Sequence, residues 1–156
     1  MRKFAGVFIV CFCAAMAMAA DLAGTWRLNL QKSKLRSANT TAETLIIEKT
    51  GPDSYRYTFD MTLTSGEKRS WTLDRVYDGK ERAVNSSDAG ESRDSEICEF
   101  VTGGGRKITM KTDGKVVRTI TSTLSGDGQT LTNLRSDVKG EDVLVFDREK
   151  EPIPAE

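Results

Sequence analysis

The chain has 156 residues, with 23 basic and 23 acidic side chains, 38% hydrophobic residues and no histidine. That length supports one domain around a single core, and basic residues scattered among acidic ones argue against the concentrated positive face that a nucleic-acid partner requires. Without histidine there is no Ser-His or Cys-His nucleophilic pair and no ordinary zinc, copper or haem ligation, so no metal, no cofactor and no catalytic residue is assigned and the chain is read as a non-enzyme.

Residues 1–19 read as a signal peptide. Arg2 and Lys3 precede an apolar run from Phe4, and Ala17-Met18-Ala19 supplies the small-x-small pattern that signal peptidase cleaves. The strongly apolar part ends near Phe12, short of the roughly 20 residues a spanning helix needs, so a stable membrane anchor is not expected. Cleavage removes Cys11 and Cys13 and leaves Cys98 alone in a periplasmic or secreted chain, where no internal disulfide can form. Cys98 shares an alternating face with Phe100, which makes it a buried small residue rather than a redox group.

From Gly24 onward, short runs of β-branched and aromatic residues alternate with turn dipeptides: Ser65-Gly66, Asp78-Gly79, Asp113-Gly114, Asp127-Gly128 and the weaker Lys139-Gly140. Strands are expected near 24–30, 43–50, 54–64, 69–77, 95–101, 107–112, 115–125, 130–136 and 143–148. The clearest is 54–64, where Tyr55, Tyr57, Phe59, Met61 and Leu63 alternate with polar residues over the whole run. A helical turn or two could form within 30–37. The stretches 33–41 and 85–95 read as mobile polar loops, and residues 151–156 as a flexible tail.

Together these runs predict an all-β fold over residues 20–150: an antiparallel up-and-down meander of about 8–10 strands that closes into a barrel, because closure removes the exposed edges a long sheet would carry. A barrel of this size either packs solid or holds one small ligand. Trp71, Phe59 and the tyrosines of strand 54–64 could serve either arrangement.

The opening phrase DLAGTWRLNL, with Gly24 and Trp26, resembles the G-x-W first strand of the calycin superfamily, which groups lipocalins with fatty-acid-binding proteins. The resemblance implies a barrel whose closed end is plugged by Trp26, with Arg148 of the last run, VLVFDREK, packed over it. It also extends to small exported bacterial proteins of unassigned activity. Two departures stand out: only about ten polar residues follow the first strand where the fatty-acid-binding proteins carry a two-helix lid of roughly twenty, and the T-D-Y motif of lipocalins is not recognisable.

Arg75 and Arg118 fall on faces that otherwise read as apolar, which turns both inward. A buried guanidinium needs either a protein carboxylate or an anionic ligand, unless it lies near a barrel end and reaches water. The functional expectation is an exported binding module in which Arg75 and Arg118, with the hydroxyls of Tyr57 and Tyr77 and an apolar wall containing Trp71 and Phe59, hold a small apolar or amphipathic and possibly anionic ligand. The alternative is a filled barrel that acts through its surface loops, as a protease inhibitor or an envelope interaction protein with a protein partner.

Overall fold

A computed structural model describes residues 21–84 and 93–150; the expected signal peptide, the tail from residue 151 and most of the 85–95 loop lie outside the described residues. All regular structure among the described residues is strand: β1 (Gly24–Leu28), β2 (Thr40–Lys49), β3 (Ser54–Leu63), β4 (Lys68–Val76), β5 (Glu81–Ala83), β6 (Ser95–Val101), β7 (Gly105–Thr112), β8 (Lys115–Leu124), β9 (Thr130–Asp137) and β10 (Gly140–Arg148). Each strand pairs antiparallel with its chain neighbour except that β4 and β5 form no ladder with each other, and the last strand also returns to the first, pairing Trp26 with Arg148.

The ten-stranded sheet thus runs in the order β4-β3-β2-β1-β10-β9-β8-β7-β6-β5 and curls into a meander barrel with one seam, where its two edges approach without backbone pairing. The seam is bridged by side chains instead: Arg75 on β4 reaches Glu96 on β6 at 3.1 Å, with both side chains almost fully buried. The short β5 is the strand that sequence periodicity missed, since three exposed residues carry no apolar alternation. Turn chemistry is as the sequence requires: Asp113 and Gly114 both have positive φ, the signature of a two-residue hairpin whose twist matches its strands.

Alternation sorts the strands into an apolar interior and a polar exterior. Leu45 and Ile47 on β2, Tyr55 and Tyr57 on β3, Ile108 and Met110 on β7, Leu131 on β9, and Leu144 and Phe146 on β10 are all buried in one core. Cys98 belongs to it too, and burial together with the neighbouring Glu96 carboxylate pushes its thiol up to about 12. Phe100, on the same face of β6, is nearly half exposed because it lies at the strand end.

One end of the barrel is sealed. Trp26 is fully buried, its indole N–H donates to the Leu22 carbonyl, and the Arg148 guanidinium lies 4.2 Å from the ring centroid. Arg148 also donates to the carbonyls of Gly128, Ala23 and Asp21, tying the β8–β9 turn to the chain entering β1. A Cβ on Gly24 would fall 2.5 Å from Nη1 of Arg148, and Gly24 has φ +143°, so glycine is required there both by space and by backbone.

The other end is the mouth, and here the 33–41 stretch departs from the expectation of a mobile loop. Lys34 exchanges two backbone hydrogen bonds with Val143, Leu35 packs on the core, and the Arg36 guanidinium bonds Asp137 and Asp142 at 2.8–3.0 Å. One hydrogen-bonded turn forms at residues 30–32, closed by the Ser33 N–H donating to the Asn29 carbonyl at 3.1 Å, and the segment after it is a strap pinned to the start of β10. Its polar composition hid this, because the partners that hold it are about a hundred residues away in sequence.

Candidate functional site

Below the mouth lies a cavity of about 50 Å³ whose wall draws on β2, β3 and β4 on one side and on β7, β8 and β9 on the other. One side is aromatic. Phe59 and Trp71 stack with centroids 4.9 Å apart and planes 8° from parallel, and Tyr57 continues the stack at 6.2 Å from Phe59. The cross-strand pairs Phe59–Trp71 and Tyr57–Leu73 put these rings side by side on adjacent strands.

The floor is polar. The hydroxyls of Tyr57 and Tyr77 hydrogen-bond at 2.7 Å, and burial raises both phenols above their ordinary value, so each keeps its proton. Arg75 lies 5.0 Å from the Tyr57 ring and donates to both oxygens of Glu96. Burial opposes its charge, yet Glu96 more than restores it, so Arg75 stays a cation. Arg93, at the entry to β6, makes a second ion pair with Glu96 at 3.4 Å.

Arg75, Tyr57, Tyr77, Trp71 and Phe59, five of the residues expected to contact a ligand, therefore line one cavity, whereas Arg118 does not. Arg75 sits late in β4 and Arg118 early in β8, which places them toward opposite ends of the barrel. Arg118 faces a separate chamber of about 470 Å³ at the mouth and pairs with Asp137 at 3.4 Å. The inward turn of both arginines follows from alternation; their joint grip on one head group does not, because each already faces a protein carboxylate.

The far wall holds residues that sequence reasoning passed over. Asn133 and Arg135, two apart on β9, face the cavity beside Ser122, the β8 partner of Asn133. Asn133 is buried at 8% exposure, and among the described residues neither its Oδ1 nor the buried Nε of Arg135 has a hydrogen-bond partner. Arg135 also lines the mouth chamber and approaches the buried Glu43 of β2 at 3.7 Å, so this pair stands between the two spaces. Alternation from Leu131 points at Asn133 and Arg135, but Leu134 on the opposite face blurred the pattern. Among the described residues no group of three or more metal-ligating side chains comes together.

No protein-family profile and no curated relative matches the chain by sequence. The fold, however, is shared with solved barrels. The fluorescent protein UnaG superposes with a TM-score of 0.63 at 16% identity, over 82% of this chain and 97% of that one. Fatty-acid-binding protein 1 of Echinococcus granulosus gives 0.60 at 15% identity, over 83% and 98%. A Schistosoma mansoni fatty-acid-binding protein in complex with arachidonic acid gives 0.58 at 14%, over 86% and 98%. The chain shares the antiparallel β-barrel fold of these proteins.

Proposed function

We propose that this protein is a binding module that takes up a small apolar or amphipathic molecule inside its barrel, between the stacked rings of β3 and β4 and the polar wall of β9. The observation that carries the reading is an enclosed apolar cavity into which a few polar groups converge, two of them with unmet hydrogen-bonding capacity. The fold adds to it, since proteins with the same barrel are named for fatty-acid binding. Entry is from the mouth chamber, past Arg135 and Glu43. The unpaired strand edges at the β4–β5 seam give the wall a place to yield as the small cavity expands around a guest.

The molecule acts after export. The basic start, apolar run and Ala17-Met18-Ala19 motif support removal of residues 1–19, and the intact mass of protein recovered from its own host checks it.

A titration of the mature chain with fatty acids and neutral amphiphiles, followed by Trp71 fluorescence, tests the binding reading. Ser122→Leu fills the cavity and is expected to weaken uptake at least tenfold while the barrel stays folded. Equal uptake by the variant would place the ligand outside this cavity. The competing reading, a filled barrel acting through its loops, has one observation in its favour: the cavity's about 50 Å³ is well below the 300–1,000 Å³ of ordinary ligand pockets.

A further inference from the structure

Resting on the binding reading, the geometry points to a chemical class of guest: we infer that the cavity selects an uncharged, flat ring compound with an amide-type edge over a free carboxylate. Three features converge. Every guanidinium that lines the cavity already faces a protein carboxylate: Arg75 and Arg93 share Glu96, and Arg135 faces Glu43. An anionic head would enter a low-dielectric space where it competes with Glu96 and Glu43 for these guanidiniums, and would shed its hydration with the Nε–H of Arg135 as its new partner.

What the cavity leaves unmet includes both an acceptor and a donor. Oδ1 of Asn133 is an acceptor in need of a donor, and Nε of Arg135 is a donor in need of an acceptor. The two residues are i and i+2 on one face of β9, about 7 Å apart along the strand. An amide presents a donor and an acceptor side by side and is complementary to this edge; a carboxylate carries only acceptors and leaves Oδ1 of Asn133 unsatisfied. The Ser122 hydroxyl lies next to Asn133 across the β8–β9 ladder.

The shape of the guest follows from the opposite wall. In the circular strand order β4 lies five places from β9, so the Phe59–Trp71 stack faces the Asn133 edge across the barrel. Parallel rings offer a flat apolar face against which another ring packs with an offset. A flexible acyl chain gains no comparable stacking.

Matched isosteres test the inference on the wild-type mature chain: 2-naphthamide, 2-naphthoate and 2-methylnaphthalene, with benzamide, benzoate and toluene as one-ring counterparts. Binding is read by Trp71 quenching and by saturation-transfer NMR. The amide of each set is expected to bind at least tenfold more tightly than its carboxylate, and Asn133→Leu to erase the advantage of the amide over the hydrocarbon. A carboxylate that binds as well as the amide, or an advantage that survives Asn133→Leu, overturns the inference while leaving the binding reading intact. Failure of all six compounds and of long-chain amphiphiles overturns both, and means that solvent alone occupies the cavity. The comparison among ligands on the wild-type chain stands even if the variant fails to fold.

Discussion

Arg148 shows how a three-residue phrase encodes one end of a barrel. The guanidinium stacks on Trp26 and donates to three carbonyls from different segments, and the missing side chain of Gly24 makes the space it occupies. Gly24, Trp26 and Arg148 are thus one device split between the two ends of the chain. Arg148→Met loses charge-assisted hydrogen bonds and a cation–π contact, a loss of about 2–4 kcal/mol. Arg148→Lys keeps the charge but not the planar fork and is expected to recover less than half of that in urea unfolding. A neutral outcome for both would mean that Trp26 burial alone seals the end. Residue-level reading succeeded here because the positions sit in a phrase with fixed spacing. It fell short at Asn133, Arg135, Glu43 and Glu96, which alternation also turns inward but whose polar character reads as surface until the strand registers are known.

At the scale of elements, two joints decide whether the barrel holds its shape. The seam between the β4 and β5 edges has no ladder and relies on the buried Arg75–Glu96 pair, which reaches from β4 to β6. Breaking a buried cluster by removing the carboxylate leaves its cations uncompensated, so Glu96→Gln is expected to cost about 3–5 kcal/mol, while Arg75→Met and Arg93→Met with Glu96→Leu together should recover much of it. If the triple variant is no more stable than Glu96→Gln, the ion pairs are not the source of the loss.

The second joint is the strap at the mouth. Hydrogen bonds from Arg36 hold the Asp137 and Asp142 carboxyls below the ordinary carboxylate range. Depressed carboxylates stabilise the fold above their unfolded pKa, near 4, and lose that contribution as pH falls through the lowered folded value. Arg36→Met should therefore lower Tm at pH 7, and the gap to wild type should begin to shrink as pH falls below about 4 and close only as pH passes through the lowered folded values. A gap that persists undiminished in acid would assign the effect to packing instead. None of this was visible locally: the strap is a polar stretch whose anchors lie in the β9–β10 hairpin, so only the closure of the sheet reveals that it is held.

For the whole molecule, period-two alternation and glycine turns were enough to specify an all-β meander barrel, because each strand buries one face and each turn has its own chemistry. The interior was harder to read, since a barrel of this size can be full or hollow with the same pattern. Its small cavity, the aromatic stack on one side and the unmet polar edge on the other emerge only once all ten strands are in register.

The interior-binding claim is tested most directly by native mass spectrometry of the mature protein isolated from its own host, followed by denaturing extraction. A stoichiometric small-molecule adduct is expected, retained by the folded chain and released on unfolding, and absent from the Ser122→Leu variant. A bare protein mass, with no thermal shift from any apolar or amphipathic compound, would contradict the claim and move function to the surface loops.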